Sequence, residues 1–528
     1  MRLDKISFLV EKNHKILVLL FFLAYLCVGI CAFKDYGISW DEGIQRRLGE
    51  STYNYIAAGD KTLFTRPNRY YGPAFQVFLF AIERALNLET ARSIVLTRHF
   101  LTFLFFYAGV FCFYLLCKYR FKSWKTGLLG SLFLVLSPRI FAHSFYNGKD
   151  IAFLSMFIVC IYTLLRYLDK KDLLWAGIHA LACAFLIDIR ILGIFVFIFT
   201  VFFLVFDILA DKGREIKTRA VAGSFVFYTV LLVFFVVLFW PLLWANPLAR
   251  FKEVIDLLSR YSYPFPVLYF GEYYRATELP WHYLPLWIGI STPAVYLVLF
   301  FCGCFVLAAD IFKKKLAQFY SARRQDLVFA SWFFAPLIAV FALKPSLYDG
   351  WRHMFYIYPG LLMLSMTGLV SLLEFVKARF TGMNYKIVNS ILVLAVALSL
   401  ANVGRFMARF HPFQNVYFNL FAGKDPEAVR SNFDMDYWGT SYKQALEYIL
   451  QNDPDDDIKI NVANRPGMSN VNILPPEDRK RLVYVDTPEE ADYFLGNYRW
   501  HAKDYPFNNK FYSIKVNDLE IMVVYKLK

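Results

Sequence analysis

The sequence predicts a polytopic α-helical membrane protein with about eleven transmembrane helices and a small C-terminal α/β domain. Three observations predict it. Of the 528 residues, 58% are hydrophobic and only 19% are charged, where a soluble domain carries about a quarter charged residues. Apolar runs of the length that crosses a bilayer recur from residue 16 to residue 404. Basic residues fall in alternate loops between those runs. The net charge of +15 would point to nucleic acid in a soluble chain. Here it reads as the positive-inside bias of a membrane protein.

The runs lie near 16–33, 95–117, 126–142, 151–168, 173–187, 190–208, 220–243, 284–309, 327–343, 354–373 and 387–404. The first follows basic residues, as a signal-peptide core does. It is too long for one and no small-residue cleavage site follows, so it is read as the first span. Threading starts from a cytoplasmic N-terminus with Arg2, Lys5, Lys12 and Lys15. The alternate loops then hold Lys118, Arg120, Lys122 and Lys125, then Lys170 and Lys171, then Lys212, Arg214, Lys217 and Arg219. Lys313, Lys314, Lys315, Arg323 and Arg324 follow, and last Lys377, Arg379 and Lys386. The pattern requires a break at Asp188–Ile189–Arg190. One fused span over 173–208 would invert every later loop and put the basic ones outside.

The other face carries loops at 34–94, 143–150, 244–283 and 344–353, the second of them short. The chain leaves the membrane near Gly404, which divides it into a membrane domain, 1–404, and an extracytoplasmic α/β domain, 405–528. In the latter, Tyr442–Gln451 reads as a helix behind a Thr440/Ser441 cap. Residues 458–463 and 482–485 and a hairpin across Asn517–Asp518 read as strands. All eight cysteines lie in or beside apolar runs and none forms a CxxC pair. No disulfide framework or structural zinc site is implied.

Candidate chemistry sits in the outer loops. The first opens on Trp40-Asp41-Glu42, adjacent carboxylates just beyond a span. They suit a general base or a metal ligand, and equally a helix N-cap before Gly43. Arg66 and Arg69 precede Tyr70-Tyr71-Gly72-Pro73 and an amphipathic stretch, Ala74–Leu86, too short to span and expected along the membrane surface. The second loop runs from Ser137-Pro138-Arg139 through His143 to Lys149-Asp150. Arg98, His99, Asp188 and Arg190 also lie at outer ends of spans, where ionisable residues mark functional sites or local ion pairs. The fourth loop gathers Lys344, Tyr348, Asp349, Trp351, Arg352 and His353 within ten residues. No GxGxxG, P-loop, HExxH or GxSxG motif offers a soluble-enzyme reading.

On these residues the chain resembles the GT-C membrane glycosyltransferases. It is most similar to the bacterial family-39 enzymes related to protein O-mannosyltransferases and the aminoarabinose transferase of lipid A. The resemblance rests on Trp40-Asp41-Glu42, Tyr71-Gly72-Pro73, Ser137-Pro138-Arg139 through Asp150, and Leu347 through His353, and covers roughly residues 1–404. It implies a multi-pass protein of the bacterial inner membrane, a polyprenyl-phosphate sugar donor, and inverting transfer to an acceptor on the extracytoplasmic face. It maps one carboxylate role to Asp41 and a second to Asp150.

A polyprenyl phosphate is a weakly basic leaving group, so the reaction needs a base for the acceptor hydroxyl and cations for the growing phosphate charge. Asp41 is the expected base, with Glu42 and Asp150 beside it. Arg352, Lys344, Arg69, Arg190 and Arg66 are candidate phosphate ligands. His353, Tyr348, Trp40, Tyr71 and Lys149 would support them. Asp41, Asp150 and His353 offer a ligand set for a divalent cation. A lipid, glycan or protein is the expected acceptor, and no nucleic acid is expected. The alternative is a membrane transporter or lipid flippase, which would place charges and broken helices near the midplane. A non-catalytic scaffold that presents the C-terminal domain is a third reading.

Overall fold

A computed structural model describes residue 11 and residues 13–210 and 218–528. Arg2, Lys5, Lys12, Lys212, Arg214 and Lys217, counted above among the basic loop residues, lie outside them.

The chain is a polytopic helical membrane protein. Among the described residues, nine helices are long and apolar enough to cross a membrane, or ten if a bent pair counts as one more; a shorter apolar helix stands beside them. The first span is α1 (His14–Ala32). The first long loop folds into α2 (Glu42–Ala58) and α3 (Ala74–Ala85). Next come α4 (Ala91–Phe121), then α5 (Trp124–Val135) and α6 (Pro138–Tyr146), bent by 71°. The expected straight run at 126–142 is therefore broken. Pro138 has no amide to continue the helix and disfavours helical backbone in the residue before it. All of α6 is buried.

The spans continue with α7 (Asp150–Lys170), the shorter α8 (Leu173–Ile189), α9 (Ile194–Ala210) and α10 (Thr218–Phe239). The break expected from charge counting is present: α8 ends at Ile189 and Arg190 is extended, with φ −150° and ψ 131°. The third loop holds α11 (Pro247–Ser259) and a hairpin of β1 (Val267–Tyr269) and β2 (Glu272–Tyr274). The run at 284–309 is also divided, into α12 (Tyr283–Ser291) and α13 (Ala294–Lys313), with Pro293 between them. Then follow α14 (Leu316–Leu343), α15 (Tyr358–Arg379) and α16 (Gly382–Arg409). α13 and α15 cross at contact distance: a Cβ on Gly303 would lie 2.0 Å from the Leu364 carbonyl oxygen, and one on Gly368 would lie 2.0 Å from that of Leu299. Small residues permit such approach between membrane helices.

Beyond α16 the chain forms α17 (Pro426–Asn432), α18 (Tyr442–Asn452), α19 (Arg465–Ser469) and α20 (Pro476–Lys480). They pack with β3 (Ile458–Val462), β4 (Leu482–Tyr484), β5 (Tyr493–Gly496), β6 (Lys510–Val516) and β7 (Leu519–Lys526), in sheet order β4-β3-β5-β7-β6. β3 runs parallel to β4 and β5, and β7 runs antiparallel to β5 and β6. Asn517 and Asp518 are both left-handed, φ 46° and 66°, as a tight hairpin turn requires. The cap of α18 differs from expectation. Neither Thr440 nor Ser441 provides a side-chain acceptor; Asp436 does, accepting the Ser441 amide at 2.8 Å and the Thr440 hydroxyl at 3.3 Å.

This region docks on the first loop. The Asn470 side chain accepts from the Ile38 amide at 2.8 Å and donates to the Ile38 carbonyl at 3.0 Å. Lys443 donates to the Lys34 carbonyl at 2.9 Å. The opposite ends of the spans carry the basic loop residues. There Arg120 pairs with Asp326, Lys171 with Asp207, and Arg324 with Asp207 and Asp169, around a cavity of about 560 Å³.

Candidate active site

Four segments bring charge together beneath the C-terminal domain. Arg352 starts the short helical turn before α15 and is 5% exposed. Its Nη1 lies 3.2 Å from Asp150 Oδ2 and 3.6 Å from Asp41 Oδ2, and its Nε donates to Asp349 Oδ2 at 3.0 Å. The guanidinium carbon sits 4.5 Å from the Trp438 ring centre and 5.0 Å from that of Tyr348. These contacts hold the planar head in one orientation.

Asp150 is the first residue of α7 and is held by Asn147, which donates to Asp150 Oδ2 at 2.9 Å and accepts the Asp150 amide at 3.1 Å. Arg190, freed from helical geometry by the break after α8, donates from Nη2 to Asp150 Oδ1. Lys149 places its ammonium 3.3 Å from the Tyr71 ring centre. Burial, then the neighbouring Arg190, hold Lys149 well below the usual lysine range, although Asp41 pulls the other way. Burial and then Arg352 push Arg190 down to about 10. Desolvation disfavours both charges where they stand, and an anion arriving there would stabilise them.

Asp41 is the most accessible carboxylate of the cluster, at 29% against 2% for Asp150 and 7% for Asp349. It occupies the N-cap position of α2, yet its side chain makes no capping hydrogen bond. Its carboxylate therefore faces Arg352 instead of its own helix. Glu42 stands apart from this group. Its Oε1 accepts the Ser39 amide at 2.6 Å and its Oε2 meets His99 Nε2 at 2.9 Å.

Other expected residues also lie elsewhere. Lys344 is exposed at the left-handed end of α14. Arg69 is engaged with the Arg66 carbonyl and the Tyr70 hydroxyl, and Tyr70 donates to Glu253 at 2.7 Å. Neither Arg69 nor Arg66 makes an ion pair with the cluster. Asp188 forms no local pair with Arg190; its Oδ2 accepts the Ala74 amide at the start of α3, at 2.7 Å. The set Asp41, Asp150 and His353 is corrected as a metal site: among the described residues, no three His, Cys, Asp or Glu side chains are grouped to hold a metal ion. Arg352 lies between the two carboxylates, and the His353 ring packs against Tyr348 at 4.5 Å.

The sequence reading missed the contribution from the last 120 or so residues. Arg499, which follows β5, donates from Nη2 to Asp349 Oδ1 at 2.8 Å and to the Tyr263 hydroxyl at 2.8 Å, and from Nη1 to the Tyr437 carbonyl. Trp40 lies beneath its guanidinium at 5.5 Å and meets Trp500 edge to face at 5.6 Å. Tyr263, from the third loop, stacks on Tyr348 at 3.7 Å. In the structure Asn497-Tyr498-Arg499-Trp500 follows the carboxyl end of a strand parallel to β3, where α/β sheets place their binding loops, but the sequence did not mark that strand and so gave no signal for Arg499.

The fold and this cluster together define a class: a polytopic membrane protein with a buried, charge-rich site where its helices meet an extramembrane α/β domain. No family model matches the sequence, and no curated protein does. Among solved structures, the chain is similar to ArnT from Cupriavidus metallidurans bound to undecaprenyl phosphate, with 13% identity over 96% of this chain and 97% of that one, at a TM-score of 0.48. It is also similar to the archaeal oligosaccharyltransferase AglB from Archaeoglobus fulgidus in complex with an inhibitory peptide and a dolichol-phosphate, with 10% identity over 92% of this chain and 70% of that one, at a TM-score of 0.49. At these scores the likeness carries no functional argument; the side chains of the site must do so.

Proposed function

We propose that the protein is an inverting glycosyltransferase of the GT-C type that moves a sugar from a polyprenyl-phosphate donor to an acceptor hydroxyl. The observation that carries this reading is the pairing of an accessible carboxylate, Asp41, with a buried cation, Arg352, 3.6 Å away. Arg190 and Lys149 stand behind them. A base and a cationic pocket side by side are what displacement of a phosphate from an anomeric carbon requires.

In the proposed reaction the acceptor oxygen attacks the anomeric carbon as the carbon–oxygen bond to phosphate breaks. The electron pair of that bond goes to the phosphate, and the acceptor proton goes to Asp41. The lipid phosphate leaves with a second ionisation near pH 6, so it needs cations rather than an acid. Arg352, Arg190 and Lys149 supply them. Asp150 already accepts from Arg190, Arg352 and Asn147, which suits it to hold the cations rather than to take a proton. In this reading the site faces the extracytoplasmic side of a bacterial inner membrane, with the N-terminus in the cytoplasm. The transporter alternative is weaker because this cluster lies at helix ends, beneath a docked domain, rather than at the midplane.

The test is Asp41→Asn. Its side chain makes no capping bond, and Arg352 keeps Asp150 and Asp349 as partners when the Asp41 charge is lost, so the variant should still insert and fold while transfer falls by about 10²–10⁴. Mass spectrometry of lipids and glycans from cells with either form reads the product. Near wild-type product formation by the variant would remove Asp41 as the base.

A further inference from the structure

We propose that Arg499 is a positioning residue for the membrane-domain site, acting through Asp349 to hold Arg352 at Asp41 and Asp150. This rests on the glycosyl-transfer reading of those residues. The geometry is a chain of alternating charge: Arg499 Nη2 to Asp349 Oδ1 at 2.8 Å, Asp349 Oδ2 to Arg352 Nε at 3.0 Å, then Arg352 Nη1 to Asp150 at 3.2 Å and Asp41 at 3.6 Å. All but Asp41 are deeply buried, with side chains 2% to 7% exposed. Asp349 sits at φ 57° and is followed by Gly350 at φ 65°, a tight turn that aims its carboxylate between the two arginines.

The consequence follows from acceptor counting. With Arg499 present, each Asp349 oxygen has its own guanidinium. Without Arg499, Oδ1 is left buried and unpaired, a costly state. Arg352, already on Asp349 Oδ2 at 3.0 Å, is the cation in place to relieve it. A guanidinium that turns to grip Asp349 with two nitrogens withdraws from Asp41 and Asp150 and no longer faces an incoming phosphate. The C-terminal domain would thus complete the site by fixing the phosphate ligand without touching the substrate.

The experiment uses full-length protein in detergent and measures undecaprenyl phosphate binding by native mass spectrometry, with the melting temperature of each variant alongside. Arg499→Ala should weaken binding about tenfold or more. Arg499→Lys keeps the charge but lacks the fork that spans Asp349 and Tyr437, and should fall between; it also serves if the alanine variant does not fold. If Arg499 acts through Asp349, Asp349→Asn and the double variant Asp349→Asn/Arg499→Ala should bind alike. Arg430→Ala, which breaks a 2.7 Å pair to Asp504 within the same domain, should leave binding unchanged. Unchanged affinity in Arg499→Ala, or losses that simply add in the double variant, would overturn the positioning role while leaving the donor reading standing. Absence of binding by the wild type would overturn both.

Discussion

At the scale of single residues, the cluster shows how burial assigns roles to chemically similar carboxylates. Asp150 is saturated by donors, Glu42 is committed to Ser39 and His99, Asp349 is shared between two arginines, and Asp41 alone keeps an accessible carboxylate. Asp434 is a further case, 7% exposed under the domain. Burial lifts its carboxyl to about 7; Arg499 and the Leu268 amide pull it down, and Asp349 adds to the rise. The folded protein therefore holds a proton that the unfolded chain, at the ordinary value of 3.8, releases earlier. Between about pH 4 and 7 this group should cost stability as pH rises, by up to about 1.4 kcal/mol per unit, and the cost should level off above the upper limit. Asp434→Asn removes the titration. Thermal unfolding from pH 4.5 to 8 should show a flatter profile for the variant than for the wild type. Parallel profiles would mean that another group sets the slope.

At the scale of elements, the joint between the first loop and the α8 break depends on one glycine. A Cβ on Gly72 would lie 1.0 Å from the Asp188 carbonyl oxygen, and the next turn is tied there by the Ala74 amide on Asp188 Oδ2. Gly72→Ala must push α3 away from the end of α8, and Arg190 is the next residue beyond that end. The variant should lose well over the typical ~1 kcal/mol of a point change and should bind undecaprenyl phosphate more weakly. A melting temperature and affinity equal to wild type would show that the joint yields without consequence. The sequence revealed each partner here but not their meeting. Tyr71-Gly72-Pro73 announced a helix start and the charge pattern required the 188–190 break, because both are local signals. α18, β3, β4 and the β6–β7 hairpin were legible for the same reason. β5 was not: Tyr493–Gly496 is buried on both faces and shows no alternation. Arg499 with Asp349, and Asp150 with Arg190, join segments 150 and 40 residues apart. No periodicity encodes such contacts. Arg69, Arg66 and Lys344 were plausible phosphate ligands by residue type alone, and tertiary placement took them out of the cluster.

At the scale of the whole molecule, polar chemistry divides between the two ends of the helix bundle, and the division implies an orientation. At one end Asp41, Asp150, Arg190 and Arg352 lie under the C-terminal domain. At the other, Arg120, Lys171, Arg323 and Arg324 are paired with Asp326, Asp207, Asp310 and Asp169. Those pairs partly compensate the basic residues. The loops at that end still carry the excess of lysine and arginine that holds a segment in the cytoplasm. On the proposed reading the domain end faces outward, where a lipid-linked sugar presented on that leaflet would meet Asp41. Single cysteines in a cysteine-free background test this directly. Asp456→Cys lies on the exposed surface of the C-terminal domain, and Lys315→Cys lies in the exposed turn between α13 and α14. A membrane-impermeant maleimide should label the first in intact cells with a permeable outer layer and reach the second only after lysis. Labelling in the reverse order would invert the orientation and place the Asp41 site on the cytoplasmic leaflet, where transfer to an extracytoplasmic acceptor is impossible.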